Sequence, residues 1–175
     1  MKAVIVVDMI NDFVSGKFGS ERAQAIVPAV TDFIARARKK KLPVVYLQDA
    51  HSAEDTELGI WGVHAMSGSR GSEIVEELAP ARGDIVIPKQ TYSGFVGTGL
   101  AVLLRDLGVD TLIFVGVSTD ICVQNNVGSA FFSGFRSIVL SDCTASITHE
   151  GHEQALKYMK AVYGAGITTS AEVVL

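Results

Sequence analysis

The chain has 175 residues, the size of one ordinary domain, and folding at this length buries about 70% of the extended surface. Hydrophobic residues make up 48% and charged residues 19%, which excludes a disordered or low-complexity chain. With a formal charge of −4, a pI near 5.5 and no basic stripe beyond Arg36, Arg38, Lys39, Lys40 and Lys41, nucleic acid is excluded as the expected partner.

The chain opens with a short apolar run that stops at Asp8, too short for a signal peptide or a membrane span. Short β-branched runs then recur between segments of helical period. Residues 3–7, 43–47, 84–88, 111–115 and 137–140 read as buried strands, because they are continuously apolar rather than alternating. Between them, Val27, Val30, Ile34 and Ala37 share one helical face, and the basic run that follows suits the negative end of that helix. Leu100, Leu103, Leu104 and Leu107 form a second face, Val123, Val127 and Ala130 a third, and Leu156, Met159 and Tyr163 a fourth. Residues 173–175 read as a last edge strand. Strand–helix alternation predicts a single α/β domain over residues 1–175, a three-layer α/β/α arrangement on a mostly parallel sheet. The one long irregular stretch, 49–71, is rich in His, Asp, Ser and Gly; long loops in compact domains tend to carry function. Cys122 and Cys143 are the only cysteines and match neither a zinc knuckle nor a CxxC pair, so a soluble, reducing, cytoplasmic setting is expected, with no membrane partner.

In such a sheet ligands bind outside the carboxyl ends of the strands. The predicted strands end on Asp8, Asp49, Lys89, Gly116 (with Cys122 following on a turn into a helix) and Asp142. Five strands therefore deliver ionisable or nucleophilic groups to one edge.

Cys122 near a helix N-terminus would feel unpaired N–H groups that lower a thiol pKa, which suits a nucleophile; a buried core cysteine is the competing reading. Asp8 either caps the turn that follows or serves as general base and then acid. Lys89 is either a solvated loop lysine or the ammonium that steadies a thiolate and keeps Asp8 ionised. Asp49, His51 and His64 offer a carboxylate and two imidazoles, a set that suits zinc or another divalent ion, or else hydrogen bonds that hold the loop. His149 and His152 read as the solvated start of a helix capped by Thr148, and Cys143 as structural.

Three segments together resemble the isochorismatase-like cysteine hydrolases over essentially the whole chain: Ile5-Val6-Val7-Asp8-Met9-Ile10-Asn11-Asp12-Phe13, Ile87-Pro88-Lys89-Gln90-Thr91-Tyr92-Ser93-Gly94-Phe95 and Gly116-Val117-Ser118-Thr119-Asp120-Ile121-Cys122-Val123. The resemblance implies strand order 3-2-1-4-5-6, a catalytic triad of Asp8, Lys89 and Cys122, and a cis peptide at Val117–Ser118 that turns N–H groups near Ser118 and Cys122 towards an oxyanion. It implies that Asp8 deprotonates Cys122, the thiolate attacks an amide, ammonia leaves, and water hydrolyses the thioester.

Within that family, nicotinamidases carry a metal triad to which Asp49-Ala50-His51 and Trp61-Gly62-Val63-His64 are similar, with Trp and Pro replaced; Phe13 and Trp61 would then sandwich a pyridine ring, with Tyr92 lining the same pocket. The compact Lys89–Phe95 stretch followed by Gly97-Thr98-Gly99-Leu100, with Gly134-Phe135-Arg136 and His152-Glu153, looks more like N-carbamoylsarcosine amidases. Ile10 stands where the family often has Gln, at an expected pocket floor. The favoured expectation is hydrolysis of a small N-carbamoyl or carboxamide substrate with ammonia release. Nicotinamide comes second, and a binding protein that kept the fold without turnover is the reading from another class. The resemblance also implies a homo-oligomer, and the Phe131-Phe132 pair suits either an interface or the core.

Overall fold

Six strands pair side by side in the computed structural model, which describes residues 1–175. They are β1 (Lys2–Val7), β2 (Val44–Asp49), β3 (Ile85–Lys89), β4 (Thr111–Val117), β5 (Arg136–Ala145) and β6 (Gly166–Thr168). Their order is β3-β2-β1-β4-β5-β6 and every pairing is parallel, so the expected order and fold class hold. The helices are α1 (Asn11–Val14), α2 (Glu21–Lys39), α3 (Leu58–Trp61), α4 (Leu100–Asp106), α5 (Gln124–Phe132) and α6 (His149–Tyr163).

The period-two alternation of β1 divides the core. Val4 and Val6 face α2, through Val30, Phe33, Ile34 and Ala37. Ala3, Ile5 and Val7 face the other layer, through Leu100 and Leu104 of α4, Val127 of α5 and Met159 of α6. The central strands β1 and β4 are buried almost throughout, as their unbroken apolar runs require. The basic run does end α2, where Arg38 donates to Asp84 Oδ2 at 3.1 Å and ties the helix to the start of the edge strand β3.

Four expectations are corrected. β3 is not buried throughout: residues 85–88 alternate half-buried and exposed, and only Lys89 is buried, because the strand lies at the sheet edge, where Pro88 leaves no inner ladder position unpaired. Residues 173–175 form no strand; Gly166–Thr168 takes the edge, while Val173 packs its side chain into the α2-side core. β5 runs on to Ala145 past an irregularity opposite Phe114 and Gly116, so Asp142 does not end it. Asp142 is exposed and accepts from Ser170, far in role from the strand ends it was expected to join. Phe131 and Phe132 are 49% and 78% exposed, which removes the core reading of that pair. No helix is long and apolar enough to cross a membrane.

Candidate active site

The order β3-β2-β1-β4-β5-β6 reverses direction between β1 and β4, and a crevice opens at the carboxyl ends of strands at such a point. Asp8 follows β1 and Cys122 follows β4, so topology alone sets both at the mouth of that crevice. Asp8 adopts φ +50, a left-handed conformation that Asp tolerates better than most residues. The turn lays its carboxylate inward: Oδ1 accepts from the Asp49 backbone N–H at 3.0 Å. Asp49 and Lys89 are register partners on β2 and β3, which brings their side chains together.

Lys89 is wholly buried between the two carboxylates. Its Nζ lies 2.8 Å from Asp8 Oδ2 as an ion pair, is hydrogen-bonded to Asp49 Oδ1, and donates to the Thr91 carbonyl at 3.1 Å. Burial alone would lower the lysine pKa; Asp8, Cys122 and Asp49 outweigh it and hold the ammonium charged. Asp8 is fully buried, and the Lys89 ammonium is the partner of its Oδ2. That burial, reinforced by the Asp49 charge and opposed by Lys89, raises Asp8 to about 7. Lys89 therefore does not keep Asp8 as readily ionised as the sequence reading expected, because desolvation is the larger effect. Asp49 behaves in the opposite way: burial works to raise it, but Lys89 and His51 hold it low.

Cys122 sits in a single π-helical turn, Thr119–Val123, which precedes α5. Two carboxylates and the nucleophilic sulfur converge here, since one ligand atom from each of Asp8, Asp49 and Cys122 lies within 4.8 Å of the other two. The thiol pKa is not depressed as a helix N-terminus would suggest. Burial drives it well above the ordinary value, Lys89 pulls against this, and the two carboxylates add to the rise. The resting group is a neutral thiol against a proton acceptor. The Val117–Ser118 peptide is cis. The N–H groups of Ile121 and Val123 both donate to the Ser118 carbonyl, so those two are already occupied. Asn126, unremarked in the sequence, is fully buried; it donates to the carbonyls of Cys122 and Tyr92 at 2.8 and 2.9 Å and accepts from Gly94 N–H.

Cys122 opens onto a pocket whose walls include Phe13, Phe18, Trp61, Tyr92, Ile121 and Ile147. The Trp61 indole N–H donates to the Tyr92 hydroxyl at 2.9 Å, which joins two of the three expected pocket residues. Phe18, Ile121 and Ile147 were not foreseen. They lie on turns with no period, and only the pocket itself identifies them. Ile10 is fully buried, bridges Ile74 and does not line the pocket, so it is no part of its floor.

Asp49, His51 and His64 come together, and Glu57 joins them, a residue that sequence reasoning missed. One ligand atom from each of the four lies within 4.8 Å of all the others. His51 Nε2 is buried without a hydrogen-bond partner, 3.6 Å from Asp49 Oδ2 and 3.8 Å from Glu57 Oε2. Its other nitrogen, Nδ1, lies 3.1 Å from Asp55 Oδ2, and His64 Nδ1 lies 2.7 Å from the Gly62 carbonyl. Outward carboxylate and carbonyl bonds of this kind orient an imidazole for metal. Burial and the Asp49 charge raise the Glu57 pKa, while a Thr91 hydrogen bond and the charges of Lys89 and His51 work against the rise. Two imidazoles and two carboxylates with orphaned buried atoms fit a divalent ion such as zinc.

His152 departs from its expected solvated role. Thr148 does cap α6, but His152 is buried and hydrogen-bonded to Thr119.

The sequence matches the isochorismatase domain over residues 2–172. Among solved structures, N-carbamoylsarcosine amidase from Thermoplasma acidophilum is 39% identical, with a TM-score of 0.93 over 98% of each chain. Nicotinamidase PncA from Bacillus subtilis is 30% identical, with a TM-score of 0.91, over 95% of this chain and 98% of that one. Pyrazinamidase of Pyrococcus horikoshii, in complex with zinc, is 30% identical, with a TM-score of 0.88, over 96% and 98%. The ureidoacrylate amidohydrolase RutB of Enterobacter sp. (strain 638) is 28% identical over 198 residues, covering 97% of this chain and 86% of that protein.

Proposed function

The chain belongs to the isochorismatase family of hydrolases, and from that premise we propose that it is a cysteine-dependent amidohydrolase releasing ammonia from a small N-carbamoyl or carboxamide substrate. The observation that carries the reading is the buried Asp8–Lys89 pair beside Cys122 at the foot of a largely apolar pocket.

Asp8, poised near neutrality beside Cys122, takes the thiol proton. The Lys89 ammonium steadies the thiolate as it forms. Sulfur attacks the amide carbon, and backbone N–H groups near Ser118 and Cys122 take the developing oxyanion. The tetrahedral species collapses as Asp8 returns its proton to the leaving nitrogen, so ammonia departs and a thioester remains. Asp8, again a carboxylate, draws a proton from water, and hydroxide attack frees the acid and restores the thiol. An N-carbamoyl substrate would yield a carbamic acid, which loses carbon dioxide to leave the amine.

Asp49, His51, Glu57 and His64 would hold the metal, which when bound supplies a Lewis acid at the pocket wall. Likeness to the N-carbamoylsarcosine amidase supports the N-carbamoyl substrate. A second reading, a neutral aromatic carboxamide such as nicotinamide, is favoured by one feature: no Lys or Arg lines the pocket, so a substrate carboxylate finds no side-chain counter-ion there. Ammonia release from N-carbamoylsarcosine, other ureido acids and nicotinamide tests both, with Cys122→Ala as the control. Release from ureido acids alone supports the first reading, and release from nicotinamide the second. Turnover retained in a folded Cys122→Ala protein would end the mechanism.

A further inference from the structure

His152 is a buried titratable side chain that the chemistry above does not use. It lies in the first turns of α6, is 5% exposed and stands outside the pocket lining. Its Nδ1 is 2.9 Å from the hydroxyl of Thr119, a fully buried residue that opens the π-helical turn holding Cys122. The backbone of Ser141 on β5 faces the same ring, as do the charges of Glu153, Arg22 and His149. Burial outweighs the groups that favour protonation and keeps the ring neutral. A neutral imidazole has one donor and one acceptor, which suits a bridge between a hydroxyl and a carbonyl.

The rest of this corner shows why a bridge is needed. A π-helical turn is rare and short, and this one closes through the Val123 N–H to the Ser118 carbonyl at 3.0 Å. Its support comes from outside. Asp120 N–H donates to Ser146 Oγ at 3.3 Å, and Ser118 Oγ donates to Asp120 Oδ1 at 2.7 Å. Gly151 lets α6 ride directly on the turn, since a Cβ there would meet Asp120 Oδ2 at 2.8 Å. Asn126 braces the far side through the Cys122 carbonyl. From α6, His152 supplies the hydrogen bond to the fully buried Thr119.

We propose that His152 is a positioning residue for the nucleophile, holding the Thr119–Val123 turn so that the Cys122 thiol meets Asp8 and Lys89. The inference rests on the reading of Cys122 as nucleophile. A thiol displaced from Asp8 hands over its proton less readily and loses the Lys89 ammonium that steadies the sulfur, so Cys122 reacts more slowly with an electrophile.

The test is the rate of Cys122 alkylation by iodoacetamide at neutral pH, followed by mass spectrometry of the Cys122 peptide, with thermal midpoints recorded beside it. His152→Leu, similar in size without a hydrogen bond, slows alkylation roughly 10- to 100-fold, the scale of an ångström misplacement. His152→Asn, whose amide can reach Thr119, stays within about threefold of wild type, and Thr119→Val slows alkylation as His152→Leu does. The double variant is no slower than either single one, because both break one bridge. Unchanged or faster alkylation in folded His152→Leu overturns the proposal, as does equal slowing in His152→Asn and His152→Leu that follows their thermal midpoints. A wild-type Cys122 that resists alkylation overturns the nucleophile reading instead, and this inference with it.

Discussion

Lys89 sets the charge balance on which the other site residues depend. Two carboxylates, Asp8 and Asp49, are both buried, and the one ammonium between them pairs with both. Breaking a buried ion pair from one side leaves an uncompensated charge, which costs about 3–5 kcal/mol. Lys89→Met is therefore expected to lower the unfolding free energy, read from a denaturant titration, by an amount in that range as well as to stop turnover. A variant as stable as wild type would mean that Asp8 and Asp49 hold a proton between them without the lysine. Asp8→Asn is the gentler change. It keeps the side-chain oxygen that accepts from Asp49 N–H but cannot carry the thiol proton. A general acid–base group contributes about 10²–10⁴-fold, so kcat should fall by that order with the fold intact. Steady-state kinetics of the pure variant decides it; a rate near wild type moves the base to another group.

Gly116, in the central strand, shows how closely the elements of the site are fitted. It pairs with Val7 across β1 and β4 and takes φ +111, a conformation L side chains rarely adopt. A Cβ there would lie 2.1 Å from the Val7 carbonyl oxygen, so the two strand ends carrying Asp8 and Cys122 meet over a bare backbone. Gly116→Ala is expected to cost about 3 kcal/mol or more through strain and overpacking, read as a drop in denaturant midpoint. An unchanged midpoint would show that β4 can shift without loss. The five longer strands, their order and the meeting of Asp8, Lys89 and Cys122 were legible in the sequence, because unbroken apolar runs and three ordered motifs carry a strong signal. Gly166–Thr168 was not, since three residues at a sheet edge carry almost no pattern while Val173 and its neighbours looked more strand-like. Glu57, Phe18 and Ile147 were illegible for another reason: they reach the pocket from turns, where spacing says nothing about direction. His152 misled because a histidine near a helix start is usually solvated, and only the packing of α6 on the nucleophile turn buries it.

At the scale of the whole molecule, the metal group links the sheet to its longest irregular segment. Asp49 ends β2, while His51, Glu57 and His64 lie along the stretch that leaves it, fastened also by the His51–Met66 bridge, by Lys17 to the Trp61 and Val63 carbonyls and by Ala65 N–H to Asp12. An ion held by four groups would tie that stretch to the carboxyl edge of the sheet and bind only the folded chain. A ligand at a hundred times its dissociation constant stabilises a protein by about 2.7 kcal/mol. In a domain of this size each kcal/mol moves the thermal midpoint by about 2–4 °C, so removing the ion should lower it by about 5–11 °C. Elemental analysis should find one divalent ion per chain, and dialysis against a chelator should produce that shift, reversed by added zinc. His51→Ala is the better control than Asp49→Ala, because Asp49 also pairs with Lys89 and its loss would disturb the catalytic charges directly. In His51→Ala the chelator should no longer move the midpoint. A wild-type protein that carries no metal and shows no shift with added zinc would return the four side chains to a purely structural role.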